Sequence, residues 1–168
     1  QSTLAHKVFY KNFNKEFLSI YKKFMKEVIA KIVNYEFHYQ KIPTFRVGLP
    51  GNLFIKEFHK DTDYNHQQYE VNFNVGLSNF LGDAALLAED SPDSNNYVLL
   101  ECPHGEIFSL NHIDCKHGAK PNSTNKTMVS FDFRIAIKEF YYESDLTSMV
   151  RNTKFSIGSY FSESTINA

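Results

Sequence analysis

The spacing of apolar residues changes near Thr44, and this change constrains the fold more than any other feature of the chain. Before it, apolar residues recur every three or four positions, which predicts one amphipathic helix over residues 14–35. After it, the chain is divided into short strand-like runs separated by turn-forming residues. These runs are 44–47, 53–59, 69–77, 97–101, 106–110 and 128–141. The pattern predicts a mostly β sandwich or barrel with an N-terminal supporting α-helix.

The predicted helix carries one apolar stripe, which is typical of packing against a sheet. The stripe consists of Phe13, Phe17, Ile20, Phe24, Val28 and Ile32. A further strand is predicted near the end of the chain, over residues 154–160.

Composition limits the class of protein. A chain of 168 residues suits one domain, which we expect to cover residues 1–168 with its β core over 44–141. A net charge of −1 with no basic run gives no support for a nucleic-acid partner, and no apolar run has the length of a membrane span. Two cysteines and no secretory signal predict a reduced, cytoplasmic context.

A histidine and an aspartate separated by one residue, with another histidine far downstream, form the strongest chemical pattern. His59 and Asp61 point to one face if they lie on a strand, and several short strands can intervene before His117. Two imidazoles and one carboxylate are the triad that leaves open positions on ferrous iron. This set cancels only one of the two charges of Fe(II), so an anionic cosubstrate is favoured at the open positions.

Other interpretations of these histidines remain open. Rival ligands are His66, His104 and His112, of which His66 has the wrong strand parity relative to His59. Two Cys-x-His pairs offer four ligands of the type that tetrahedral zinc takes. They are Cys102-Pro103-His104 and Cys115-Lys116-His117. Asp61 could also cap a surface turn without any metal.

Four segments follow one another over most of residues 36–138. They are QKIPTFRVGLPGN at 40–52, FHKDTDYNH at 58–66, EVNFN at 70–74 and HGAKPNSTNKTMVSFDFR ending at Arg134. In order and spacing they resemble the StrG-like group of Fe(II)/2-oxoglutarate oxygenases from antibiotic biosynthesis clusters. The resemblance implies a double-stranded β-helix, or jelly roll, with His59, Asp61 and His117 as iron ligands and 2-oxoglutarate as cosubstrate. It identifies no substrate.

Met128 departs from the pattern of that group, where an arginine stands two residues before the serine of the last motif. In related oxygenases such an arginine grips the distal carboxylate of 2-oxoglutarate, which methionine cannot do. Ser130 and Arg134 share the face of residue 128 on a regular strand and are candidates to orient the cosubstrate. Arg134 lies roughly 20 Å along the strand from residue 128, too far to replace that arginine. Arg46 is the candidate for the missing charge.

Two further side chains are candidates for the pocket. Asn72 and Asn74 alternate with apolar residues, so they share a face that borders either solvent or the pocket. The resemblance favours the pocket, with Asn72 contacting cosubstrate or substrate. Tyr64 is either a pocket wall or an exposed loop aromatic.

The function implied by the resemblance is that of an Fe(II)/2-oxoglutarate-dependent dioxygenase. It would hydroxylate a small polar metabolite and release succinate and CO2. The presence of Asp61 argues against halogenation, in which that carboxylate is replaced. Two alternatives stay open, namely a non-enzymatic β-sandwich binding module and a metal-dependent cupin-like enzyme that does not use 2-oxoglutarate.

Overall fold

The computed structural model describes residues 3–53, 55, 57–149 and 152–167. In these residues the helices are α1 (Leu4–Lys11), α2 (Lys15–Phe24) and α3 (Ala30–Ile32), with a π-helical turn at Met25–Ile29 between the last two. The strands are β1 (Phe37–Tyr39), β2 (Thr44–Gly48), β3 (Glu70–Gly76), β4 (Leu86–Glu89), β5 (Tyr97–Leu100), β6 (Ile107–Leu110), β7 (His117–Ala119) and β8 (Met128–Ile137). None of the helices in this part of the chain combines the length and apolarity that crossing a bilayer requires.

Two antiparallel sheets form the body of the molecule. In the large sheet, β1 and β2 pair in succession with one edge of β8, and β3 and then β6 follow on its other side. In the small sheet, β4 lies between β5 and β7. Residues of both sheets line one cavity, so the sheets face each other across it. This two-sheet sandwich is the mostly β architecture that the punctuated strands predict.

The alternation of β8 determines which face of the large sheet is core and which is site. Phe131, Phe133 and Ile135 belong to the main apolar core, whereas Ser130, Asp132 and Arg134 line the cavity. Phe133 is fully buried, and its ring stacks on Phe73 with the centroids 5.5 Å apart. Because side chains alternate along a strand, the helices cover the apolar face and the polar side chains remain between the sheets.

The supporting helix is present, but half of its predicted stripe is wrong. Ile20, Val28 and Ile32 are exposed, and the buried positions are Tyr21, Met25 and Ile29. The Tyr21 hydroxyl donates a hydrogen bond to the Gln40 carbonyl at 3.0 Å. The π-helical turn Met25–Ile29 changes the angular spacing of the side chains from that point on, so a fixed helical period does not predict the exposure of Val28 and Ile32. Ile20 precedes the turn, which does not explain its exposure.

Two strand predictions differ from the structure. In the predicted run 53–59, of which residues 54 and 56 lie outside the described residues, the structure gives a single bridge, from His59 to His117. The predicted strand 154–160 is wrong, because the tail there forms turns and isolated bridges. The main-chain N–H groups of Tyr160 and Phe161 both bond to the Ser156 carbonyl, which closes a turn.

Gly76 allows the chain around Cys102 to close over one end of the large sheet. A Cβ at Gly76 would lie 2.7 Å from the carbonyl oxygen of Pro103 and 3.0 Å from that of Cys102, both main-chain atoms. We expect Gly76→Ala to lower the free energy of unfolding by about 1–3 kcal/mol, because overpacking forces the backbone to shift. Urea denaturation measures the change. An unchanged denaturation midpoint would mean that the segment around Cys102 moves aside at no cost in free energy of unfolding.

Candidate metal centre and its cavity

His59, Asp61 and His117 converge although His117 lies far along the chain from the other two. One ligand atom from each lies within 4.8 Å of the others. Oδ1 of Asp61 is 3.6 Å from Nε2 of His59 and 3.4 Å from Nε2 of His117. Among the described residues, no other group of three or more histidine, cysteine or acidic side chains lies close enough to share a metal ion.

Main-chain hydrogen bonds hold the triad in place. The N–H of His59 donates to the His117 carbonyl at 3.1 Å, and the N–H of His117 donates to the His59 carbonyl at 2.9 Å. The sequence pattern suggests that Asp61 shares a strand with His59. In the structure, Asp61 instead begins a 3₁₀ turn at Asp61–Tyr64. The N–H of Asp61 bonds to the His112 carbonyl at 2.8 Å, so a tertiary contact and not strand parity brings its carboxylate to the imidazoles.

The outer nitrogens of both imidazoles are held by carbonyl oxygens. Nδ1 of His59 lies 2.8 Å from the Glu57 carbonyl oxygen, and Nδ1 of His117 lies 3.2 Å from that of Cys115. Because a carbonyl only accepts, each Nδ1 carries the proton, and in a neutral ring the Nε2 lone pair faces Asp61. This is the orientation that metal-bound histidines adopt, and the donor set therefore fits a divalent transition metal.

Arg134 fixes the orientation of Asp61. Its guanidinium bonds to Oδ2 of Asp61 through Nη2, and through Nε at 3.1 Å, which leaves Oδ1 toward the two imidazoles. Burial raises the pKa of Asp61, but the positive charge of Arg134, with smaller contributions from the neighbouring His117 and His59, outweighs it and holds the pKa well below its usual range. Asp61 is therefore an ionised carboxylate that offers one oxygen to a metal.

His112 lies beside the triad but outside it. Its Nε2 is 3.7 Å from Oδ2 of Asp61, and this buried atom has no hydrogen-bond partner among the described residues. Burial lowers the pKa of His112 to about 3, although Asp61 opposes the shift. A neutral His112 beside the Arg134-bound oxygen therefore packs against the back of Asp61.

The remaining rival ligands are engaged elsewhere. Nδ1 of His66 lies 2.7 Å from the buried Glu70 carboxylate, and His104 is exposed. Cys102 packs in a second apolar cluster with Phe80, Ala84 and Met128. The described residues therefore do not bring the two Cys-x-His pairs together, and the zinc interpretation is wrong.

A cavity of about 470 Å³ adjoins the triad, a size suited to a small ligand. All four predicted cosubstrate residues line it, namely Arg46, Asn72, Ser130 and Arg134. Arg46 forms an ion pair with Asp132, with 2.6 Å between Nε and Oδ1. Tyr64 also lines the cavity and meets the His59 ring edge to face, with the centroids 4.8 Å apart. Tyr64 is thus a pocket wall.

Two cavity residues that no sequence pattern singled out contact the predicted ones. Asp132 pairs with Arg46, and its position between Ser130 and Arg134 on an alternating strand could have placed it in the cavity. Nη1 of Arg134 donates a hydrogen bond to the hydroxyl oxygen of Tyr160, at 3.4 Å. Nothing in the sequence around Tyr160 indicates this contact, because it depends on how the tail folds back.

Comparisons with known proteins agree with this architecture. No protein-family model matches the chain. The chain is 29% identical over 161 residues to the streptomycin biosynthesis protein StrG of Streptomyces griseus, covering 96% of this chain and 76% of StrG. It is similar to the apo structure of the non-heme monooxygenase ThoJ, with a TM-score of 0.60 and 13% identity over 96% of this chain and 71% of ThoJ.

A second solved structure, the nickel complex of ThoJ, gives a TM-score of 0.52 with 15% identity. That alignment covers 67% of this chain and 49% of the other, so this chain spans about half the length of that structure. At these identities the two likenesses concern the fold. The predicted fold class is thereby confirmed, and the chain is a mostly β jelly roll with helices packed on its large sheet.

Proposed function

We propose that this protein is a non-haem Fe(II)- and 2-oxoglutarate-dependent oxygenase that hydroxylates a small molecule. The observation that carries the proposal is the triad His59, Asp61 and His117, with Nε2 of both imidazoles directed at Oδ1 of Asp61. Two histidines and one carboxylate with open positions are typical of non-haem iron oxygenases. The likeness to StrG and to a non-heme monooxygenase supports the same class.

Each protein group near the triad has a defined task in this proposal. The Glu57 and Cys115 carbonyls hold the imidazoles in the metal-binding tautomer. Arg134 occupies Oδ2 of Asp61, so this carboxylate binds through one oxygen and leaves more of the coordination sphere open. We therefore assign Arg134 to the orientation of Asp61 and not to direct cosubstrate binding. When bound, iron(II) and 2-oxoglutarate would, with dioxygen as the oxidant, supply oxidative decarboxylation, which yields succinate and CO2 and provides the second oxygen atom for hydroxylation.

The charges of the cavity favour an anionic cosubstrate. Two arginines, Arg46 and Arg134, pair with two carboxylates, Asp61 and Asp132, and Glu57 also lines the cavity. A divalent metal would leave the cavity with a net positive charge, which an anionic ligand such as 2-oxoglutarate would neutralise.

Arg46 is the group that we assign to the distal carboxylate of 2-oxoglutarate. It pairs with Asp132 through Nε and Nη2, which leaves its Nη1 side for a second carboxylate. It lies directly opposite Ser130 in the β2–β8 register, and its side chain retains 34% exposure. Met128 lies two residues before Ser130 on β8 and is buried in the second apolar cluster, where no anion would bind.

Anaerobic titration tests both parts of the proposal. Fe(II)-loaded protein should develop a weak visible charge-transfer absorption when 2-oxoglutarate is added. Arg46→Met should weaken 2-oxoglutarate binding about 10-fold or more, since a charge-assisted hydrogen bond is worth roughly 1.5–3 kcal/mol. Substrate-independent succinate formation in air provides a second readout.

The outcome also separates the alternatives. Iron binding without a 2-oxoglutarate-dependent band would favour a cupin-like enzyme that uses no keto acid. No binding of either would favour a non-enzymatic module. Thr44→Val, a conservative change to another cavity residue of β2, is the control for general damage to that strand.

A further inference from the structure

The cavity face of the large sheet changes from charged to apolar across its width. Strand β2 contributes Thr44 and Arg46, and β8 contributes Ser130, Asp132 and Arg134. Asn72 and Asn74 of β3 come next, and Phe108 and Leu110 of β6 form the far side. In register, Asn74 stands between Asp132 on one side and Phe108 on the other. The asparagines therefore mark the boundary between the two halves of the cavity.

The small sheet repeats this division. His59 and His117 lie at one side of this sheet, and β4 and then β5 come next. Leu86 of β4 pairs directly with Leu100 of β5, and both line the cavity. Beyond Leu100 the chain forms a bridge between Phe80 and Cys102, two buried residues that also line the cavity. We call this half the apolar compartment. Its residues are Phe80, Leu86, Leu100, Cys102, Phe108 and Leu110.

Apolar side chains that border a cavity lack the contacts of a close-packed core. Protein interiors are normally filled to the density of organic crystals, and a wall without a neighbour gives up its dispersion contacts. An apolar ligand group restores those contacts and leaves water at the same time. At the boundary, Asn72 is only 5% exposed, and its Oδ1 has no hydrogen-bond partner among the described residues. That atom can accept a hydrogen bond from a ligand that carries an N–H or O–H group.

We propose that the substrate is amphipathic, with an apolar side chain in the apolar compartment and a hydrogen-bond-donating head group at the β3 asparagines. This inference rests on the proposed function, because it takes the cavity beside the triad as the substrate site. It refines the small polar metabolite that is expected from the sequence. A ligand with an aliphatic or aromatic group next to a hydroxyl, amide or amine group matches both halves of the cavity.

A homologous series of primary alcohols, from ethanol to 1-hexanol, tests the compartment without turnover. Each alcohol is titrated into Ni(II)-loaded and metal-free protein, and binding is followed by heteronuclear NMR. Affinity should rise about fourfold for each added methylene until the compartment is full. An affinity that does not change with chain length would overturn the proposal. Nickel binding in the same samples reports on the triad separately, so failure of the metal site and failure of the compartment are distinguishable.

Two neighbouring leucines of β5 give a matched pair of variants. Leu100 lines the cavity, whereas Leu99 is 50% exposed. Leu100→Asn should remove most of the dependence on chain length, and Leu99→Asn should leave it unchanged. Leu100→Ala, which keeps the wall apolar, should move the best-bound alcohol to a longer chain. Equal behaviour of the Leu99 and Leu100 variants would contradict the assignment, and if the Leu100 variants do not fold, the wild-type series decides.

Discussion

Replacing His117 by alanine is expected to abolish stoichiometric binding of a divalent metal. Loss of a residue that merely orients a ligand typically weakens metal affinity 10- to 100-fold, so loss of the ligand itself should cost more than about 100-fold. His59→Ala should have the same effect, because the two Nε2 atoms stand at similar distances from Oδ1 of Asp61. Isothermal titration with Co(II) or Ni(II), together with metal analysis after gel filtration, measures the loss.

Cys102→Ala is the control for this experiment. Cys102 is buried and lines the same cavity, but it packs in the second apolar cluster and not beside Asp61. Its replacement should leave the stoichiometry at one metal per chain. If Cys102→Ala removed the metal while His59→Ala kept it, the triad would not be the metal site.

Replacing Arg134 by methionine is expected to destabilise the metal-free protein by about 3–5 kcal/mol, because it leaves a buried carboxylate unpaired. The Arg134 side chain is 8% exposed and that of Asp61 3% exposed, so water cannot solvate the remaining charge. Glu70 and Asp132 each have a carboxylate oxygen 3.8 Å from the same guanidinium, and they lose a neighbouring cation as well. Chemical denaturation of the two proteins gives the difference in free energy of unfolding.

Two companion variants make this result specific. Lys138→Met breaks an exposed pair with Glu36 and should cost less than about 1 kcal/mol. The double variant Arg134→Met with Asp61→Asn removes both charges of the central pair, so it should recover part of the lost stability. If the Arg134 and Lys138 variants lost equal stability, burial of the Arg134 pair would not matter.

The strands that alternate clearly were predictable from sequence. β8 is the best case, because Phe131 and Phe133 separate Ser130, Asp132 and Arg134, and a period of two assigns each set to one face. β4 was missed because Leu86–Glu89 has no alternation and all four of its residues are buried. Its leucine, alanine and glutamate also favour helix in isolation, and only pairing with β5 and β7 makes it a strand.

The sequence indicated which residues are candidates for the site, but not how the fold brings them together. The spacing of His59 and Asp61 suggested a shared strand face, whereas the structure reaches convergence through a 3₁₀ turn anchored on the His112 carbonyl. The pairing of Asp61 with Arg134 joins residues 73 positions apart, and no local pattern records it. Likewise, the apolar compartment combines β4, β5 and β6, so it exists only once both sheets are assembled.

The reciprocal main-chain bridge between His59 and His117 has a practical consequence for purification. Main-chain hydrogen bonds set the separation of the two histidine backbones, and the Glu57 and Cys115 carbonyls orient the rings, so the pair is positioned without a metal ion. A preassembled site of this kind accepts several first-row ions and ranks them by intrinsic affinity, with iron(II) near the weak end. If the triad binds a metal as proposed, protein eluted from a nickel resin is expected to carry nickel. Activity should therefore be measured after the protein has been stripped of metal and reloaded with iron(II) under anaerobic conditions.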